Sequence, residues 1–108
     1  MKFEYFKKQS ETIGRHIAEG TLTDQAVVFE LPAGRRDAPL SLALQPQVGA
    51  TVQIHTTLSS PDKLAAGQAV WVASGHGDIA EAFSDVGRGA CTAVRLTVTG
   101  TVDYQMQV

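Results

Sequence analysis

The chain has 108 residues, 44% hydrophobic and 19% charged, with a net charge of −2 and a pI near 5.8. That length makes one domain with a real core and excludes a disordered chain. The weakly acidic balance excludes a global positive field, so nucleic acid is not an expected partner.

Cys91 is the single cysteine and cannot close an intrachain disulfide. It stands at the start of an apolar strand and is expected to be a small buried hydrophobe. No apolar run approaches the ~20 residues of a membrane span, and the opening MKFEYFKKQS carries no signal-peptide core. A soluble protein in a reducing compartment, without a membrane partner, is the expectation.

Residues 1–11 hold Phe3, Tyr5 and Phe6, half of the six Phe and Tyr residues, among Lys2, Glu4, Lys7, Lys8 and Glu11. Rings on a terminal segment have use only where they dock. The segment is either the first edge strand of the domain or an arm that reaches another subunit, and residues 12–108 form the domain proper. Ile13 and Ile17 have helical spacing, but Gly14 and Gly20 interrupt it, which leaves a strand or loop over residues 12–19. Residues 21–25 are polar.

In Ala26–Leu31, Val27, Phe29 and Leu31 alternate with Glu30, while Val28 breaks the alternation and predicts cover on both faces. Pro32–Pro39 is a loop with a charged tip at Arg35 and Arg36, expected to join this strand to a paired one in which Leu40, Leu42 and Leu44 alternate with polar or small residues. Pro46 and Gly49 mark a reversal. Val52, Ile54, Thr56 and Leu58 then alternate with Thr51, Gln53, His55 and Thr57.

One helical turn is expected over Lys63–Gly67, followed by a strand at Gln68–Ala73. Trp71 there has the opposite parity to Val70 and Val72, so it is either core or an interface ring. Asp78–Phe83 reads as a short capped helix or a strand, and Ser84–Gly89 as loop.

The last stretch has the strongest pattern. Val94, Leu96 and Val98 alternate with Arg95, Thr97 and Thr99, and after Gly100 so do Val102, Tyr104, Met106 and Val108 with Asp103, Gln105 and Gln107. Read as a hairpin, parity demands a three-residue loop at Thr99–Thr101 that pairs Val98 with Val102, Leu96 with Tyr104 and Val94 with Met106. Thr97 then faces Asp103 and Arg95 faces Gln105, with Arg95 and Asp103 diagonal. The elements together predict an all-β, antiparallel sandwich, jelly-roll or Ig-like, of six to eight short strands with an N-terminal arm.

The Trp71 strand, the Gly- and Asp-rich loop and the closing TAVRLTVTGTVDYQMQV resemble the C-terminal half of small β-sandwich virion proteins of tailed bacteriophages, over about residues 70–108. The resemblance implies a structural virion protein, above all a capsid decoration or cement protein that binds between capsomers. It also implies a homo-oligomer, a trimer favoured, with the major capsid or another virion protein as partner. Assembly would take place in the host cytoplasm. Cement proteins as a group use terminal arms, which would suit residues 1–11. A head-tail or tail accessory protein and a carbohydrate-binding module are the alternatives.

No pattern points to an enzyme, a cofactor or a metal. His16, His55 and His76 lack the short ligand spacing of metal sites. Ser74, His76 and Asp78 would share a face only in an extended strand, which Gly75 and Gly77 oppose. Gly75-His76-Gly77 and Gly87-Arg88-Gly89 are too short for phosphate loops. The candidate site residues are therefore interface residues: Phe3, Tyr5 and Phe6 on a neighbour, Trp71 as an exposed ring, and Arg35, Arg36 and Arg88 as cations for a neighbour's carboxylates.

Overall fold

Alternation of buried and exposed side chains is carried into strands nearly wherever it is written in the chain. The computed structural model describes residues 2–5, 7–8, 16–32, 39–87 and 91–108. Their strands are β1 (Lys2–Tyr5), β2 (Lys7–Lys8), β3 (His16–Thr23), β4 (Ala26–Glu30), β5 (Leu40–Pro46), β6 (Thr51–Thr57), β7 (Val72–Ala73), β8 (Phe83–Gly87), β9 (Ala93–Thr99) and β10 (Thr101–Gln107), with a helix α1 (Pro61–Ala65) between β6 and β7. Two sheets form, ordered β1-β4-β9-β6-β7 and β2-β3-β10-β5-β8.

From β3 onward the pairing is that of one long hairpin rolled up. β3 pairs with β10, β4 with β9, β5 with β8 and β6 with β7, all antiparallel. Rolling then brings β10 against β5 and β9 against β6. Eight strands wound in this way are a jelly roll. β1 and β2 are additions at its edges: β1 runs parallel to β4, and β2 antiparallel to β3.

Rolling overturns the expected terminal hairpin. β9 and β10 are consecutive but belong to opposite sheets, so Val98 lies across from Val52, Leu96 from Val27 and Ile54, and Tyr104 from Gly20 and Leu44. Arg95 is opposite Val28 and His55, and Asp103 opposite Thr21 and Gln45, far from any diagonal pair. Parity could not reveal this. A hairpin and a crossing between facing sheets both send Val94, Leu96, Val98, Val102, Tyr104 and Met106 into one interior.

β4 and β5, expected to pair through the Pro32–Pro39 loop, likewise lie in opposite sheets. Residues 84–87, expected as loop, belong to β8. Ile79 forms neither a helix nor a named strand, but a single bridge to Val52. The polar stretch at residues 21–25 is largely strand, since β3 runs to Thr23. The helical turn begins two residues earlier than expected, with Pro61 in its first turn.

The core lies between the sheets, with Val27, Phe29, Val52, Val94, Leu96 and Val98 from one and Leu22, Leu42, Leu44, Val102, Tyr104 and Met106 from the other. Phe29 and Tyr104 meet across it edge to face, centroids 5.0 Å apart. Tyr104 also explains Gly20 in mid-strand. A methyl group on Gly20 would lie 3.2 Å from Tyr104 Oη, so the ring occupies the space a side chain would take.

Three connections tie one end together. Gly100 N–H donates to Asp24 Oδ1 at 2.7 Å, and Asp24 N–H returns a bond to Gly100 O at 2.9 Å. Gln47 N–H donates to Thr101 O at 2.9 Å. The turns β3–β4, β5–β6 and β9–β10 thus hold one another.

Candidate interaction site

Val28 is the starting point for the outer face of the β1-β4-β9-β6-β7 sheet. Its neighbours Val27 and Phe29 enter the main core, so Val28 takes the other face, yet it is completely buried, as its break in the alternation predicted. Phe3 lies beside it on β1 and Arg95 on β9. Val28, Leu64 and Ala93 form a second apolar cluster, against which Phe3, Ala69 and Trp71 pack. The lid is α1. Ser60 caps it by accepting from Lys63 N–H at 3.4 Å, and Leu64 is its only buried residue.

Trp71 is half-buried in this cluster, and the Arg95 guanidinium sits over its ring with Cζ 4.7 Å from the centroid. Such a contact contributes about 0.5–1 kcal/mol near a surface, in addition to the area the ring covers. Trp71→Ala is expected to lower unfolding stability by about 1–2 kcal/mol, read from the urea midpoint, with the fold retained because the main core is untouched.

The two flanking valines point away from this cluster and into solvent. Val70 is 69% and Val72 61% exposed, and only Val72–Ala73 is strand. Leu58, expected to continue the buried row of β6, is 77% exposed, while Thr57 is buried and accepts from Ser59 N–H at 3.1 Å. Thr56 pairs with Val72, and continuing that register sets Leu58 beside Val70. Leu58, Val70 and Val72 are thus exposed apolar side chains at the β6–β7 end of this sheet. Next to them a cleft of about 110 Å³ opens between the sheets, lined by Leu40, Leu42, Ile54, Thr56, Phe83 and Val94 with Ser74 and His76.

The outer face of the other sheet differs in character. A shallow groove there is lined by Glu19, Thr21, Gln45, Asp103 and Gln105 with Ala43 and Ser84. Its polar side chains pair mutually: Thr21 Oγ1 donates to Asp103 Oδ1 at 2.6 Å and Gln105 Nε2 to Glu19 Oε2 at 3.2 Å.

Of the residues expected at an interface, Phe3 and Trp71 are brought together on the Val28–Leu64–Ala93 cluster of their own chain. Tyr5 is placed by its backbone, paired with Glu30. Phe6, Arg35, Arg36 and Arg88 lie outside the described residues. Leu64, Arg95 and the exposed Leu58 were not singled out beforehand. A capped SSPD turn followed by one leucine was the available signal for Leu64.

Ser74, His76 and Asp78 are not aligned on a strand. Gly75 and Gly77 have φ of +91° and +64°, and Asp78 Oδ1 accepts from Gln53 Nε2 at 2.6 Å. The His76 ring meets Phe83 edge to face at 4.8 Å. His16 Nδ1 and His55 Nδ1 are buried without hydrogen-bond partners and belong to different sheets. Among the described residues no three His, Cys, Asp or Glu side chains gather as a metal site would require.

Cys91 is buried, as expected, and burial pushes its thiol above the ordinary range. The neutral thiol is favoured in the fold, so its contribution to stability is complete below the unfolded pKa of about 8.5 and declines as pH rises through the higher folded value. Iodoacetamide at neutral pH is expected to leave native Cys91 largely unmodified in an intact-mass spectrum and to label it fully in denaturant. Rapid native labelling would show an accessible thiolate instead.

No protein-family model matches the chain, and no curated protein or solved structure is significantly similar to it. What the geometry defines is an all-β jelly-roll sandwich with an N-terminal strand added at one sheet edge, an outer-face apolar cluster on which its Phe3 packs, and exposed apolar side chains at Leu58, Val70 and Val72.

Proposed function

We propose that this chain is a structural virion protein of tailed-bacteriophage type, a capsid decoration protein that stabilises the head by binding between capsomers. It acts as a symmetric homo-oligomer, a trimer favoured, through apolar and main-chain contacts. The observation that carries this reading is the placement of the aromatic N-terminal strand: Phe3 rests on an outer-face cluster separate from the main core. A strand held in that way is a clamp whose contacts are not needed for the core to form. The apolar edge of Leu58, Val70 and Val72 supplies further contact area. Jelly rolls host many activities, so the fold supports the reading only through these surfaces.

Deleting residues 1–11 is expected to leave the far-ultraviolet spectrum of a β protein and to weaken attachment to undecorated heads by at least about tenfold, the effect of burying one phenyl ring. Unchanged attachment would remove the reading.

A carbohydrate-binding module is the second reading, favoured by the polar groove over Glu19, Thr21, Gln45, Asp103 and Gln105. Sugar platforms stack on exposed rings, and here Phe29 and Tyr104 are core, Phe83 packs on the core and Trp71 lies under Arg95. A glycan-array hit lost in Trp71→Ala would favour this second reading.

A further inference from the structure

We infer that β1 and β2 form one exchangeable arm, and that in the assembled protein the arm of one copy occupies the Val28–Leu64–Ala93 socket of another. The inference rests on reading the chain as a self-associating structural protein and names the contact by which it associates.

The main core supplies the first argument. Among the described residues it draws on Ala18 and residues beyond, and the eight strands β3–β10 close the roll by themselves. Of the arm, Phe3 packs on the second cluster and not on this core. The arm's described contacts are a four-residue parallel ladder with β4, a two-residue ladder with β3, and the packing of Phe3 on the second cluster. Parallel pairing is the weaker kind per residue, and every one of these contacts is offered identically by a second copy.

Connection lengths define what moves. β1 and β2 lie in different sheets with only Phe6 between them, so they shift together. Residues 9–15 link them to β3, a span of up to about 25 Å when extended, against a shortest molecular dimension of 22 Å. Fully extended, a link of that reach exceeds the thickness of the domain.

Charge favours the same contact. Residues 1–8 hold three lysines and one glutamate, a net +2 in a chain of net −2, so residues 9–108 carry −4. Arm and body attract whether or not they belong to one chain. Exchange also leaves no unpaired edge on the β3 and β4 side of either copy.

Phe3 and Val28 are register partners in the parallel ladder, and the ~4.8 Å between neighbouring strands suits a disulfide. Two full-length single variants, Phe3→Cys and Val28→Cys, each with Cys91→Ala, are mixed in equal amounts at a concentration where light scattering reads an oligomer, and then oxidised. The expected result is a mixed disulfide of twice the chain mass, with peptide mapping confirming that it joins the two introduced thiols. Its absence, while the double variant Phe3→Cys/Val28→Cys closes within one chain, would overturn the exchange. Failure of the double variant to close would overturn it as well, since the β1–β4 register would then be wrong. An oligomer that persists without the mixed disulfide refutes the exchange alone; a monomer at every concentration refutes the self-association reading too.

Discussion

Phe29→Ala is expected to destabilise the domain by about 3–5 kcal/mol, the largest effect of any single truncation among the described residues. Phe29 is fully buried in β4 and is the ring that bridges the two sheets onto Tyr104. Removing it deletes transfer energy, leaves a cavity between layers that collapse only in part, and abolishes the edge-to-face pair. A domain of this size has roughly 5–15 kcal/mol in total, so about a fifth or more of its stability is at stake. The urea midpoint should fall with an unchanged slope, and Phe29→Leu should recover most of the loss. A loss under about 1 kcal/mol would mean that the two sheets do not meet at this ring.

Gly100→Ala comes next, at about 2–4 kcal/mol from left-handed strain together with steric overlap. Gly100 has φ +83°, and a Cβ there would sit 2.8 Å from Ala50 Cβ and 2.9 Å from Ala50 Cα. Its N–H and C=O are also committed to Asp24, so the corner cannot swing away without losing both bonds. Gly49 provides an internal control. It has the same φ of +83° with nothing within 4 Å of its missing Cβ, so Gly49→Ala should show the conformational cost alone, about 1–2 kcal/mol. The difference between the two midpoints measures how tightly the β9–β10 corner is packed on the β5–β6 turn. Equal losses would show that the crossing has room to spare.

That corner also marks where reading the chain stops being sufficient. The alternation through Val94, Leu96, Val98, Val102, Tyr104 and Met106 identifies two half-buried strands and their inward faces, and the fold agrees. Alternation says which face is dry and is silent on which strand accepts the hydrogen bonds. Val28, out of phase in β4, announced a second covered face, and one is present. Trp71 and its flanking valines were ambiguous because parity assigns opposite faces without saying which is covered.

The same limit governs the site. Phe3 and Trp71 were singled out as large rings in unusual places, and they share one cluster. That they meet depends on α1 lying over Val28 and on β1 joining β4, contacts between segments about 25 to 70 residues apart that no local pattern encodes. Leu58 has the parity of a buried residue and is exposed, since β6 ends at Thr57 and the chain leaves the sheet there.

By itself, then, the amino-acid order determined the class of fold, the positions of most strands and which of their side chains avoid water, because these follow from period-two burial within a single strand. Only the tertiary structure decided the partners of each strand, the rolled topology and the gathering of an outer apolar cluster, because long-range pairing and the extent of the facing layer settle those. Hydrophobicity along one strand is identical under either arrangement.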